Sequence, residues 1–180
     1  MQGSQRAIKI PDGVDASVKD GLVSVRGPLG SLSRDFRHAG VSISKGNDEI
    51  SVAIGRTGKK AESILGTITK HIENMMLGTT KGFQCKLMIV YSHFPITLKV
   101  DGNKILIRNF IGERAPREAK LEGKDIKVTI DGEDVTIQGV DIERVMQTAA
   151  NMETATRIIA KDQRVFLDGV YIVEKGFQIE

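Results

Sequence analysis

The stretch Ile126–Ile137, which reads IKVTIDGEDVTI, decides the fold of the second half of this chain. Apolar and polar residues alternate on both sides of the turn Asp131-Gly132-Glu133-Asp134, a pattern typical of two antiparallel strands in a hairpin. Asp141 follows as the cap of a helix. The apolar residues of that helix recur at steps of three and four: Ile142, Val145, Met146, Ala149 and Ala150. A second hairpin, Ile96–Val100 with Ile105–Ile107, precedes this stretch, so the second half is predicted to hold short strands followed by one helix.

The first half of the chain repeats this order of elements. Its predicted strands are Val14–Val18, Leu22–Val25, Val41–Ser44 and Ile50–Ile54. A helix follows, with an apolar face made of Ala61, Ile64, Leu65, Ile68, Ile72, Met75 and Met76. Equivalent residues of the two halves stand 82 apart at Arg26 and Arg108, and 85 apart at Ile43 and Val128. We therefore predict a duplicated domain whose second copy carries a short insertion.

The small residues of Gly78–Gly82 follow the first helix without apolar periodicity, which indicates a domain boundary. We predict an N-terminal domain at residues 1–81 and a C-terminal domain at residues 82–180. Further strands are predicted at Phe83–Tyr91 and Phe166–Val173. The predicted fold class is α+β, with two tandem duplicated domains, each a small antiparallel sheet packed against one helix.

Composition excludes several classes of protein. The 180 residues are 40% hydrophobic and 27% charged, which is typical of a soluble globular chain. The longest apolar run, Leu87–Tyr91, is far shorter than the roughly 20 residues of a membrane-spanning helix, and the first residues show no apolar leader. Cys85 is the only cysteine, so neither a disulfide within the chain nor a cysteine zinc site is predicted. We expect a cytoplasmic protein with no cofactor, no metal and no membrane partner.

Charge is uneven along the chain. The net charge of the whole chain is +3, but residues 1–81 carry 12 basic and 8 acidic residues, while residues 82–180 carry 14 and 15. A mild basic excess is compatible with a polyanionic partner without requiring one. Any nucleic-acid site in the second half must therefore be a local patch.

Catalytic chemistry finds little support in the sequence. The three histidines, His38, His71 and His93, fall in different predicted elements, and no acidic or cysteine residue stands at ligand spacing from them. Cys85 alternates with apolar residues on a predicted strand, as a packed thiol does. We therefore expect no enzyme activity and no small-molecule substrate.

The glycine-containing stretch Ile54–Lys60 allows two interpretations. A phosphate-binding P-loop is excluded because Ala53 and Lys60 stand where that motif needs glycine and a hydroxyl residue. A short G-x-x-G clamp for a nucleic-acid backbone fits locally, but a plain strand-to-helix turn fits better because a strand precedes it. We hypothesise a secondary basic patch on this stretch, made of Arg56, Lys59 and Lys60.

Two basic segments of the second half are candidates for binding. The first carries Arg108, Arg114, Arg117 and Lys120, and Pro116 within it predicts an irregular or edge segment. Its acidic residues leave a small net charge, so a solvated edge is an equal alternative. The second, Lys161–Gly176, alternates cations with aromatic residues around Asp168-Gly169, for which we predict a tight turn. Cations for phosphates and aromatics for stacking suit RNA, although core aromatics with charged flanks are commoner.

The second segment also resembles a known family. The pattern Lys161-x-x-Arg164-x-Phe166-x-Asp168-Gly169-Val170-Tyr171-Ile172-x-x-Lys175 is similar to the C-terminal signature of the large-subunit ribosomal protein L6 family, in its archaeal and eukaryotic form. Further stretches resemble the same family in the same order: Ile10–Val14, Tyr91–Ile96 and Ile107–Glu113. The resemblance covers essentially the whole chain and favours an archaeal member.

This resemblance implies a structural role in the large ribosomal subunit. It implies binding of 23S-type ribosomal RNA, mainly by the second domain, near the base of the lateral stalk and the translation-factor-binding centre, beside neighbouring ribosomal proteins. By the same resemblance we expect Lys161, Arg164 and Lys175 to meet phosphates, while Phe166 and Tyr171 either stack on bases or belong to the core. Asp168 and Gly169 are expected to shape a turn. The alternative is a two-domain protein–protein adaptor without direct RNA contact.

Overall fold

A computed structural model describes residues 4–159, 161–162 and 164–178, and these fold as two units that divide between Gly82 and Phe83. The first unit begins with six strands and ends with one helix. Its strands are β1 (Ser4–Lys9), β2 (Asp15–Lys19), β3 (Leu22–Gly27), β4 (Gly30–Asp35), β5 (Ser42–Lys45) and β6 (Glu49–Ile54), and its helix is α1 (Lys59–Thr80). The strands form two antiparallel sheets, with the orders β1-β6-β5 and β2-β3-β4. Helix α1 packs on both sheets and buries Leu65, Ile68 and Ile72 against them.

The second unit has the same order of elements and one additional strand. Its elements are β7 (Phe83–Val90), β8 (Thr97–Asp101), β9 (Lys104–Arg108), β10 (Arg117–Lys120), β11 (Lys127–Asp131), β12 (Asp134–Gly139), α2 (Ile142–Ala155) and β13 (Gly169–Phe177). Its two sheets have the orders β10-β9-β8 and β11-β12-β7-β13. Asp141 caps α2 as predicted, because its carboxylate accepts a hydrogen bond from the Glu143 N–H at 3.0 Å.

Strand registers confirm that the two halves are copies. Arg26 lies opposite Asp15 and its equivalent Arg108 lies opposite Thr97, so both residues of the pair are shifted by 82. In the next strand pair, Val25 pairs with Leu32, and its equivalent Ile107 pairs with Arg117. Leu32 and Arg117 are therefore equivalent and stand 85 residues apart. The inserted residues therefore lie in the connection between β9 and β10, which is the first basic segment.

The α+β duplication is confirmed, with three changes of detail. Each unit holds two sheets, since the first hairpin and the strand after it form a sheet of their own. The last strand begins at Gly169 and runs to Phe177, beyond the predicted end at Val173. The prediction of a tight turn at Asp168-Gly169 is wrong, because Gly169 is already the first residue of β13.

Strand β13 lies at the edge of its sheet and pairs with β7. In the first unit the strand equivalent to β7 is β1, and among the described residues β1 pairs with β6 alone. The last part of the C-terminal signature, Gly169–Lys175, therefore lies on the additional strand of the second unit, and its earlier residues lie in the connection before that strand. Neither helix in the described part of the chain is long and apolar enough to span a membrane.

Candidate nucleic-acid interface

Two segments of the second unit and the strands that flank them carry the predicted contact residues. We call the two segments the β9–β10 loop (residues 109–116) and the α2–β13 segment (residues 157–168). Both lie close to the C-terminal end of α2, which contacts β10 as well as β13. The fold therefore gathers cations that are about 50 positions apart in the sequence.

The β9–β10 loop has an unusual backbone held by packed aromatic residues. Asn109, Ile111 and Gly112 have φ values of 59°, 50° and 73°, in the left-handed region. A β-branched residue rarely adopts this conformation, so Ile111 marks local strain. Phe110 is buried beneath the loop, and a Cβ on Gly112 would lie 3.3 Å from the Phe94 ring. The loop is thus held in one shape by contacts on both sides.

Arg117, at the start of β10, is engaged inside the protein. Its guanidinium donates to both carboxylate oxygens of Glu113, with Nε–Oε2 at 2.8 Å and Nη2–Oε1 at 2.6 Å. Nη1 donates to the carbonyl oxygens of Ala155 at 2.9 Å and Arg157 at 3.1 Å. The guanidinium carbon also lies 4.2 Å from the centroid of the Phe110 ring. These contacts use most of the N–H donors that an arginine has.

The other candidate cations of this region face solvent. Arg108 is exposed at the end of β9, and Arg114 is exposed within the β9–β10 loop. Lys120 is exposed on the edge strand β10 and lies 3.1 Å from Glu122. Such an exposed ion pair contributes less than about 1 kcal/mol, so a phosphate can replace the carboxylate at little cost. The prediction of an irregular edge segment around Pro116 is confirmed.

Asp162 organises the first part of the α2–β13 segment. Its carbonyl accepts hydrogen bonds from the N–H groups of Val165 and Phe166 at 3.1 and 3.0 Å, and its carboxylate accepts from the Arg164 N–H at 3.0 Å. The Arg164 guanidinium pairs with the same carboxylate, and the hydrogen bonds to Arg164 hold the pKa of Asp162 below its usual range. The Arg164 side chain is nevertheless 90% exposed. Lys161 Nζ lies 4.6 Å above the Phe166 ring, so one face of that ring already carries a cation.

Phe166 and Tyr171 are neither buried nor fully exposed. They are 36% and 41% accessible, and they line a surface groove of about 470 Å³ together with Glu153, Thr154, Thr156, Arg157 and Ile158. The Tyr171 hydroxyl donates to the Leu167 carbonyl oxygen at 3.1 Å, and its ring lies against Gly169, where an added Cβ would be 3.1 Å from it. A side chain at position 169 would therefore require the Tyr171 ring to shift by a few tenths of an ångström. Stacking of these two aromatics on bases stays a prediction.

Asp168 belongs to the structural framework of the unit. It is 5% exposed, and its Oδ1 accepts a hydrogen bond from the Ser92 N–H at 3.0 Å. The neighbouring Val170 N–H donates to Thr156 Oγ1 at 3.0 Å. These two bonds fix the start of β13 to the end of α2 and to the loop after β7. Sequence reasoning placed Asp168 in a turn, whereas its burial and its partner depend on a residue 76 positions away.

Lys175 lies apart from the other signature residues. It is exposed on β13 opposite Cys85, whose thiol has a pKa raised by burial. It lies four positions beyond Tyr171 along the strand, a distance of roughly 13 Å. Lys161, Arg164, Phe166 and Tyr171 therefore form one group, and Lys175 extends it along the edge of the sheet.

The hypothesised patch of the first unit lies at the start of α1. Arg56 precedes the helix, Lys59 and Lys60 occupy its first turn, and all three are exposed. The prediction of a strand-to-helix turn is confirmed, since β6 ends at Ile54 and Gly58, at φ 117°, adjoins the first residue of α1. Cations in the first turn oppose the helix dipole, at a cost of about 0.3–1 kcal/mol each.

Several contact candidates were missed by sequence reasoning. Arg157 lines the groove beside Phe166 and Tyr171 but precedes the recognised motif. Ile159, Val165 and Leu167 are 80%, 68% and 56% exposed, so the segment offers apolar surface as well as charge. The only signal in the sequence was the run of apolar residues between cations, which also suits a buried strand. Among the described residues, no group of three or more His, Cys, Asp or Glu side chains could hold a metal ion.

Together these features define a duplicated α+β protein whose second copy carries a groove lined by Arg157 and two half-exposed aromatic rings, with exposed cations and apolar side chains in the neighbouring segment. Comparison with known proteins identifies the family. Residues 10–82 and 94–169 each match the family described as "Ribosomal protein L6", so both units carry the same family domain. The chain belongs to the ribosomal protein L6 family.

Similar proteins come from several archaea and carry the name "Large ribosomal subunit protein uL6". The one from Staphylothermus marinus is 48% identical over 172 residues, which cover 94% of this chain and 93% of that protein. The one from Ignicoccus hospitalis is 48% identical over 171 residues, covering 92% and 91%. The one from Methanosarcina mazei is 40% identical over 171 residues, covering 95% and 97%. The resemblance seen in the signature stretches is confirmed over nearly the whole chain.

Proposed function

We propose that this chain is a structural component of the large ribosomal subunit and that its second unit binds 23S-type ribosomal RNA. The observation that carries this proposal is a groove lined by Arg157 and two half-exposed aromatic rings, with Lys161 over the Phe166 ring. The exposed guanidinium of Arg164 belongs to a residue two positions before Phe166 in the chain. Phosphate contacts position a protein on RNA, and aromatic faces take up unstacked bases. The names of the similar archaeal proteins support the same assignment.

Each group of residues has a distinct part in this proposal. Exposed cations of the two segments and of the flanking strands bind phosphates: Arg108, Arg114, Lys120, Arg157, Lys161, Arg164 and Lys175. Phe166 and Tyr171 offer ring surface to a base or a sugar at the mouth of the groove. The strained β9–β10 loop, which holds the insertion absent from the first unit, presents Arg114 in a fixed position. Affinity should therefore fall steeply as salt rises, because each neutralised phosphate releases counterions.

In the cytoplasmic ribosome, the proposed role is to hold RNA segments in one geometry. We place this role near the base of the lateral stalk and the translation-factor-binding centre, next to other large-subunit proteins, on the strength of the family resemblance. The patch of Arg56, Lys59 and Lys60 in the first unit is proposed as a secondary RNA contact. Lysines in the first turn of a helix disfavour folding slightly, which is consistent with a role in binding.

A protein–protein adaptor is the second candidate, and one observation favours it. Ile159, Val165 and Leu167 are each more than half exposed, and exposed apolar clusters often mark protein contacts. An adaptor should bind its partner with weak dependence on salt and should keep it after nuclease treatment. RNA binding should show the opposite behaviour in both respects.

The test is co-sedimentation of the tagged chain with ribosomal particles from its own cells, before and after ribonuclease treatment. Association with the large subunit that the nuclease abolishes supports RNA binding. Direct binding is then measured with purified large-subunit RNA of Staphylothermus marinus over a range of salt concentrations. A complex that survives nuclease and is indifferent to salt would overturn the RNA proposal in favour of the adaptor.

A further inference from the structure

Arg117 connects the two segments of the interface. It follows the β9–β10 loop directly, and its guanidinium bonds back to Glu113 within that loop. The same guanidinium reaches the carbonyl oxygens of Ala155 and Arg157, at the end of α2 and the start of the α2–β13 segment. One side chain thus contacts both segments that carry the candidate phosphate ligands.

We infer that Arg117 is a positioning residue, which fixes the β9–β10 loop against the end of α2 so that Arg114 and the cations of the α2–β13 segment face one RNA surface. This inference rests on the proposed RNA-binding function and changes the part that Arg117 plays in it. The sequence alone made Arg117 one more phosphate ligand.

The geometry around the guanidinium favours this role over direct phosphate binding. Its fork matches the Glu113 carboxylate with two hydrogen bonds, an arrangement that a single ammonium group cannot reproduce. Its face lies on the buried Phe110 ring, and the Arg117 side chain is 29% exposed, against 90% for Arg164. A phosphate that displaced Glu113 would leave that carboxylate close to the RNA.

Glu113 interacts with Arg117 and also with Lys161 of the signature. The hydrogen bonds from Arg117 hold the pKa of Glu113 below its usual range, and the positive charge of Lys161 acts in the same direction. Lys161 in turn lies over the Phe166 ring. Contacts therefore run from Phe110 through Arg117 to Glu113, and the charge of Glu113 is felt by Lys161, which lies over a ring of the groove. The positive φ of Ile111 marks strain in the loop backbone, and strained residues persist where the surrounding contacts hold them.

The decisive variant is Glu113→Gln, because the two roles predict opposite signs. If Arg117 positions the loop, losing the carboxylate charge weakens the fork and lowers RNA affinity by about three- to tenfold. If Arg117 binds phosphate directly, the same change removes a nearby negative charge and leaves affinity unchanged or higher. Glu118→Gln is the matched control, since Glu118 lies on the same strand as Arg117 but pairs with Lys104 at 2.6 Å. This control should cause no loss of affinity.

Arg117→Lys supplies a second, charge-preserving test. A direct electrostatic contact keeps most of its affinity with lysine, whereas the fork and the two carbonyl contacts cannot be kept. We expect this variant to weaken binding at least as much as Glu113→Gln. Circular dichroism of each variant checks that the chain is folded before binding is measured.

The experiment measures binding of the full-length chain to purified large-subunit RNA of Staphylothermus marinus, together with hydrogen exchange of the Gly112 and Glu113 amides. These amides bond to Asn109 and Phe110 carbonyls within the loop and should exchange faster in both variants but not in Glu118→Gln. Wild-type affinity for both variants, or tighter binding by Glu113→Gln, would overturn the inference. A wild-type chain that binds no RNA would overturn the proposed function instead. In that case unchanged amide exchange in both variants would also refute the positioning of the loop.

Discussion

Replacing Thr156 by valine should detach the start of β13 from the end of α2. Thr156 is 4% exposed. Its hydroxyl donates to the carbonyl oxygens of Met152 and Glu153, each at 3.2 Å. The same hydroxyl oxygen accepts a hydrogen bond from the Val170 N–H at 3.0 Å. Valine has nearly the same shape but lacks the hydroxyl, so packing is kept and only the hydrogen bonds are lost.

The expected loss follows from the burial of the unpaired group. Val170 is fully buried, so its N–H would have neither a protein acceptor nor water, which costs about 1–3 kcal/mol. For a domain of this size, 2 kcal/mol corresponds to a decrease of about 8–16 °C in the unfolding temperature of the second unit. RNA affinity should fall as well, because Tyr171 follows Val170 directly in the same strand.

The assay is urea unfolding of the full chain combined with hydrogen exchange of the Val170 amide. Thr67→Val is the matched control, since Thr67 is an exposed helix residue whose hydroxyl donates to the Ser63 carbonyl oxygen at 3.0 Å. This control should change stability by no more than about 0.5 kcal/mol. An unchanged midpoint for Thr156→Val, with unchanged protection of the Val170 amide, would refute the reasoning.

Three further predictions concern charge. Arg164→Ala should change stability by no more than about 0.5 kcal/mol, because the side chain is 90% exposed. It should reduce the slope of log affinity for RNA against log salt concentration by about 0.7–0.9, the value for one lost phosphate contact. Lys70→Ala, which removes another exposed ion-paired cation, should leave this slope unchanged, and equal slopes for both variants would count against the interface. Replacing Arg56, Lys59 and Lys60 of the secondary patch together by alanine should weaken RNA binding without destabilising α1. Unchanged RNA affinity would show that this patch is not part of the interface. Hydrogen bonds from Arg37 lower the pKa of Asp35 from 3.8 to about 2. The stability that this pair contributes is therefore complete above pH 3.8 and is lost as the pH falls through about 2. A titration of Asp35 by nuclear magnetic resonance with a midpoint near 3.8 would contradict this prediction.

Much of the fold could be predicted because its signals are local. The alternation in Ile126–Ile137, the Asp141 cap and the apolar spacing of both helices each depend on residues close in sequence. The offset change from 82 to 85 predicted an insertion between Arg108 and Val128, and the structure narrowed it to the connection between β9 and β10. The sequence also determined the family, since the signature stretches recur in order along the chain.

Tertiary structure alone decided which residues of the predicted site share one surface and what each can do. Arg114 and Arg117 look equivalent in sequence, but only Arg117 meets the end of α2, some 40 residues away, and is thereby committed to internal hydrogen bonds. Asp168 looked like a turn residue until the distant Ser92 N–H and burial gave it a structural role. The physical reason is that burial and long-range pairing depend on how elements pack. Those properties determine whether a charge or an aromatic ring is free to bind a partner.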